Sequence, residues 1–125
     1  MKDQILQVNN LKTYFFTASG VAKAVSFSMD RGQIMGIVGE SGSGKSVTAS
    51  SLIRLLPKTG RIVEGEVIFD GRNIQNLSNR ELRGLRGREI SMIFQDPMTS
   101  LDPVFKVGDQ MVEQIRTHKR ITKQE

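Results

Sequence analysis

The sequence predicts an α/β fold: a core built around a glycine-rich loop, with an antiparallel β layer ahead of it. Three observations predict it. The first third reads as strands separated by turn residues, with Val25-Ser26-Phe27-Ser28-Met29 alternating strictly between apolar and polar. A short run, Ile34-Met35-Gly36-Ile37-Val38, is apolar on both faces and ends in a glycine-rich loop. Beyond that loop, helical and extended patterns alternate along the chain. Strict alternation marks a sheet with one wet face, whereas a continuous apolar run marks a central strand of a parallel sheet.

Taken in order, Ile5 to Val8 and Leu11 to Phe16 are rich in β-branched and aromatic residues, and Asn9-Asn10 between them is a turn signal. The alternating strand from Val25 ends at Asp30-Arg31-Gly32, which turns the chain. After the glycine-rich loop, apolar Val47, Leu52, Ile53, Leu55 and Leu56 predict a helix over residues 46–56, closed by Pro57. Residues 65–71 predict a strand ending in an Asp70-Gly71 turn. Ser78 with Glu81 three residues on forms a capping box for a short helix to Leu85. Ile90 to Phe94 predicts another strand, residues 97–103 a loop, and Val107 to His118 a helix entering a basic tail.

Composition bounds the function. The chain has 125 residues, 13.9 kDa, 38% hydrophobic and 25% charged residues, which is the range of a soluble globular domain. Without cysteine, neither a disulfide framework nor a thiolate metal site can form. No apolar run approaches the roughly 20 residues that cross a bilayer, and no signal peptide is visible. The net charge is +5, and the basic residues gather at Arg80 to Arg88 and Arg116 to Lys123. Charge at helical spacing reads first as solvated surface and second as a patch for an anionic partner. Few aromatics and no RNA-binding aromatic motif argue against single-strand recognition.

The chemistry is carried by Gly39-Glu40-Ser41-Gly42-Ser43-Gly44-Lys45-Ser46, which fits the Walker A pattern at every fixed position. Glycines let consecutive backbone N–H groups face phosphate oxygens with no Cβ in the way. The helix after the loop adds N–H groups and a positive dipole end. Lys45 supplies a charge to the β- and γ-phosphates, and the Ser46 hydroxyl is a Mg²⁺ ligand. A glycine–serine linker is the alternative, but linkers are not flanked by an apolar strand and a helix start. The ligand read from this loop is a purine nucleoside triphosphate, ATP, with Mg²⁺.

A phosphate-binding loop alone does not choose among kinases, GTPases, helicases and transport motors. Residues 36–46, together with Met92-Ile93-Phe94-Gln95-Asp96-Pro97, resemble the ATP-binding-cassette (ABC) transporter ATPases. Residues 95–104, 65–71 and 82–87 are similar to the oligopeptide, dipeptide and nickel importer branch, so the resemblance spans nearly the whole chain. It implies an ABC-type core in which Gln95 is the Q-loop glutamine, near the Mg²⁺ and the attacking water. It also implies an aromatic that stacks on adenine, which matches Phe15 best, with Tyr14 and Phe16 beside it. On this basis Lys45 and Gln95 are the catalytic candidates, Ser46 and Gln95 the metal candidates, and residues 39–46 with Phe15 and Tyr14 the nucleotide candidates.

The resemblance divides the chain into residues 1–97, the antiparallel layer with the phosphate-loop core, and residues 98–125, the Q-loop and the start of a helical subdomain. The family's signature Leu-Ser-Gly-Gly-Gln, Walker B aspartate, catalytic glutamate and switch histidine are expected downstream of Glu125. His118 comes too early for that histidine and reads as surface. The implied partners are a second ABC ATPase subunit, two integral membrane permease subunits and, indirectly, a peptide-binding protein, with no nucleic acid. The implied location is the cytoplasmic face of the cell membrane. The alternatives left by the residues themselves are a stand-alone nucleotide-binding regulatory module and a nucleic-acid-associated P-loop protein.

Overall fold

A computed structural model describes residues 3–15, 24–40, 44–56, 58, 60–95, 99–120 and 122, and for Tyr14, Phe15 and Val63 the backbone alone. The chain forms two compact units, Met1–Ser78 and Asn79–Glu125.

The first unit is built on an antiparallel sheet of order β2-β1-β3-β4. Strand β1 is Gln4–Phe15, β2 is Val25–Asp30, β3 is Gly60–Phe69 and β4 is Arg72–Asn73. Residues alternate along β2 as the sequence predicts, with Val25, Phe27 and Met29 partly buried and Ser26 and Ser28 exposed. Val8 and Leu11 of β1 and Val67 of β3 are fully or almost fully buried, which places the core against one face of the sheet. Between β3 and β4, Asp70 and Gly71 both take positive φ, 47° and 78°. That pair of left-handed residues defines the tight hairpin turn that Asp-Gly favours. Arg31 Nε donates to Asp3 at 2.8 Å, and Arg31 also hydrogen-bonds Asp70. The hydrogen bond to Asp70 first, and the charge of Asp3 second, hold the guanidinium above its ordinary value.

Asn9 and Asn10 do not turn the chain. Strand β1 runs through them as one strand, with register shifts between Val8 and Leu11 against β2 and between Asn9 and Lys12 against β3. Asn10 takes a left-handed φ of 48° inside a bulge. The bulge is possible because Gly65 of β3 lies against it. A Cβ on Gly65 would sit 2.2 Å from the Asn10 carbonyl oxygen, and Gly65 itself has φ +89°. The asparagine pair therefore reads as a turn only when the glycine far along the chain is ignored.

The helix after the glycine-rich loop, α1, spans Lys45–Leu52, shorter than the residues 46–56 predicted. Ile53 caps it and Arg54 takes φ +54°, so the chain leaves the helix before Pro57 is reached. The guanidinium of Arg54 then donates to the Leu77 carbonyl at 2.8 Å, fastening this exit to the 3₁₀ turn Ile74–Asn76 and its end.

The predicted strand at residues 34–38 does not form. The segment has no ladder partner among the described residues, and Ile34 and Val38 are 98% and 94% exposed. A central strand of a parallel sheet needs neighbours on both sides, and no described segment supplies them.

In the second unit, helix α2 is Asn79–Leu85, beginning directly after the predicted Ser78 cap, and buries Leu82 and Leu85. The predicted strand at residues 90–94 is reduced to a single parallel bridge between Arg86 and Ile90. Ile93 and Phe94 are exposed, for the same reason as residues 34–38. Helix α3 is Val107–His118, matching its predicted bounds. Gln110 organises the chain ahead of it, accepting from Asp102 N–H and donating to the Asp102 and Phe105 carbonyls at 2.9–3.0 Å. No described helix is long and apolar enough to cross a membrane.

Candidate phosphate-binding site

The site is assembled at the N-terminal end of α1. Gly44 precedes the helix with φ 102°, a left-handed conformation open to glycine and strained for any residue with a Cβ. That residue swings the chain from the loop into the first helical turn. The first backbone bond of the helix runs from Thr48 N–H to the Gly44 carbonyl at 2.9 Å. The N–H groups of Lys45, Ser46 and Val47 therefore lie ahead of the hydrogen-bonded ladder. No side chain caps this end, and no acidic residue occupies the first turn. An uncapped helix start with no acidic residue in its first turn is electrostatically suited to an anion.

Lys45 folds back over the loop. Its Nζ donates to the Glu40 carbonyl at 3.0 Å and also to the Gly39 carbonyl. The ammonium is thus held by two backbone acceptors in the segment that leads into the loop. Ser46 is exposed at the same turn. Thr48 is buried and its hydroxyl donates to the Gly44 carbonyl at 2.8 Å, bracing the turn from within. Alongside lies a cavity of about 340 Å³ whose walls include Val25 and Phe27 of β2, Gly39, Gly44, Lys45 and Thr48. Its walls are mostly apolar, with Met35, Ile37 and Val38 beside Val25 and Phe27. The groups present whose chemistry fits a phosphate and its magnesium ion are the Lys45 ammonium and the exposed Ser46 hydroxyl at the start of α1.

Of the sequence-predicted residues, Gly39, Glu40, Gly44, Lys45 and Ser46 come together here. Ser41, Gly42 and Ser43 lie outside the described residues, as do the side chains of Tyr14 and Phe15 and all of Phe16. Gln95 is exposed and belongs to the second unit. No cluster of acidic or histidine side chains able to hold a metal occurs among the described residues.

Helix α1 also departs from its apolar pattern. The side chains it buries are Thr48 and Ser51, whereas Val47 is partly buried and Leu55, beyond its end, is exposed. Hydropathy missed these two hydroxyls because serine and threonine score as surface. The signal that could have found them is spacing, since Thr48 and Ser51 stand three apart on one helical face.

A phosphate-binding loop at the start of a helix, beside an antiparallel layer, defines an ABC-type nucleotide-binding fold. The sequence profile described as ABC transporter matches residues 22–125, and the chain belongs to that family. It is 50% identical over 123 residues to an oligopeptide transport ATP-binding protein of Haemophilus influenzae, covering 96% of this chain and 38% of that protein. It is 49% identical over 122 residues to a dipeptide transport ATP-binding protein of Lactococcus lactis, covering 95% of this chain and 35% of that one. The chain thus spans little more than a third of the length of these relatives. Among solved structures, a bacterial Atm1-family ABC exporter with ATP bound matches 76% of this chain and 16% of its own, with TM-score 0.53 and 26% identity.

Proposed function

We propose that this chain binds Mg²⁺–ATP through residues 39–46, and that in a longer subunit the binding is coupled to hydrolysis and peptide uptake. The observation that carries the reading is the geometry at α1. An uncapped helix start, a left-handed Gly44 and an ammonium folded back onto the Gly39 and Glu40 carbonyls occur together at the N-terminal end of α1. The similarity to ATP-binding proteins of peptide transport systems supports the choice of ATP and of a peptide cargo. So does the match to an exporter with ATP bound.

In this reading the loop N–H groups and the start of α1 hold the phosphates and exclude water from one side of them. Lys45 exchanges its carbonyl acceptors for β- and γ-phosphate oxygens. The Ser46 hydroxyl would hold the magnesium ion, which would neutralise charge on the phosphates. An aromatic at the end of β1, Phe15 or Tyr14, takes the adenine face. The partners are a second ATPase subunit, two permease subunits and, indirectly, a peptide-binding protein, at the cytoplasmic face of the membrane.

By itself, the chain binds ATP without turning it over. Phosphoryl transfer rests on holding phosphate, metal and water in line, and the 125 residues contain no Leu-Ser-Gly-Gly-Gln signature. General-base and charge-stabilising groups each contribute typically 10²-fold or more. A phosphate-release assay is expected to read background. Mg²⁺-dependent turnover near one per second, lost in Lys45→Ala, would refute this.

A further inference from the structure

The first unit contains a buried polar link that the phosphate-binding role does not itself require. Thr13 Oγ1 and Ser51 Oγ lie 2.7 Å apart, one on β1 and the other on α1. Thr13 is 2% exposed and Ser51 0%. Ser51 has a single hydroxyl proton, and it donates that proton to the Val47 carbonyl at 2.7 Å. Thr13 must therefore be the donor in the pair. The order is fixed: Thr13 O–H to Ser51 O–H to Val47 C=O.

This relay ends in the first turn of α1, two residues after Lys45. It begins two residues before Phe15, in the strand that ends there. We propose that Thr13 and Ser51 are positioning residues that set the spacing between the adenine-binding end of β1 and the phosphate-binding end of α1. The proposal rests on the nucleotide reading above. An apolar contact at this place would let strand and helix slide, since dispersion is non-directional. Two consecutive hydrogen bonds in a dry environment allow one register, and an unpaired hydroxyl there is costly. The neighbouring Thr48 to Gly44 bond fixes the same helical turn from the loop side. A ligand that touches both ends is sensitive to the spacing, and a ligand that touches the phosphate end alone is not.

Calorimetric titration of the 125-residue chain with Mg²⁺–ATP and with inorganic triphosphate separates these cases. Thr13→Val removes the hydroxyl and keeps the shape. It is expected to weaken ATP roughly fivefold, the scale of one hydrogen bond, and to leave triphosphate within about twofold. Thr13→Ser is expected to restore ATP affinity. Ser51→Ala breaks the same link from the helix side with a residue that favours helix, and it serves if Thr13→Val does not fold. Equal weakening of both ligands, or of neither, overturns the proposal while leaving the nucleotide reading intact. A parent chain that binds neither ligand overturns the nucleotide reading and the proposal with it.

Discussion

The antiparallel layer and the segment at residues 34–40 lie side by side in the chain and fare very differently. The layer completes itself. Each of its strands meets a neighbour within the first unit, and Val8, Leu11 and Val67 are buried. Residues 34–38 are at least as apolar, yet Ile34 and Val38 stand in solvent. The difference is one of pairing and not of hydrophobicity. An antiparallel strand needs one partner and can leave a face wet, whereas a strand apolar on both faces needs ladders on both edges and cover above and below. The glycine-rich loop follows the second kind of segment, and Lys45 and Ser46 after it are positioned by α1.

The comparison breaks most readily in the layer. Leu11→Ala is expected to cost about 2–5 kcal/mol of stability, the range for a buried leucine. A urea transition within 1 kcal/mol of the parent would mean the layer is not the stabilising part. At the loop the dependence reverses. Lys45→Ala is expected to lower Mg²⁺–ATP affinity roughly a hundredfold, about 2.7 kcal/mol, as a charge-assisted contact is lost. Its melting temperature is expected to match the parent's. Equal affinities in calorimetry would remove the phosphate-loop assignment.

Base selectivity is a smaller effect. An aromatic face recognises any purine, so GTP is expected to compete with ATP within about tenfold, roughly 1.4 kcal/mol. Strong rejection of GTP in a competition titration would reveal hydrogen-bonding groups aimed at the base. The smallest effect belongs to the exposed run. Val38→Ala is expected to change stability by no more than about 0.5 kcal/mol, as for exposed positions generally. A larger loss would show that the segment packs in solution, and the contrast with the layer would disappear.

Local features were legible from residues alone. Asp70-Gly71 predicts a turn because both residues tolerate left-handed φ, and both adopt it. Helix α3 follows its pattern to both ends. The loop glycines, Lys45 and Ser46 predict a helix start with open N–H groups, and that is what precedes Thr48. These depend on φ preference and on neighbours a few residues apart, so sequence by itself determined them. Tertiary structure decided what depends on distant partners. Asn10 became a bulge because Gly65 leaves room for its carbonyl. Ser51 is buried because Thr13 meets its hydroxyl across strand and helix. Residues 34–38 and 90–94 carry the pattern of strands, but a ladder is a property of two segments, and the pattern of one cannot supply the other.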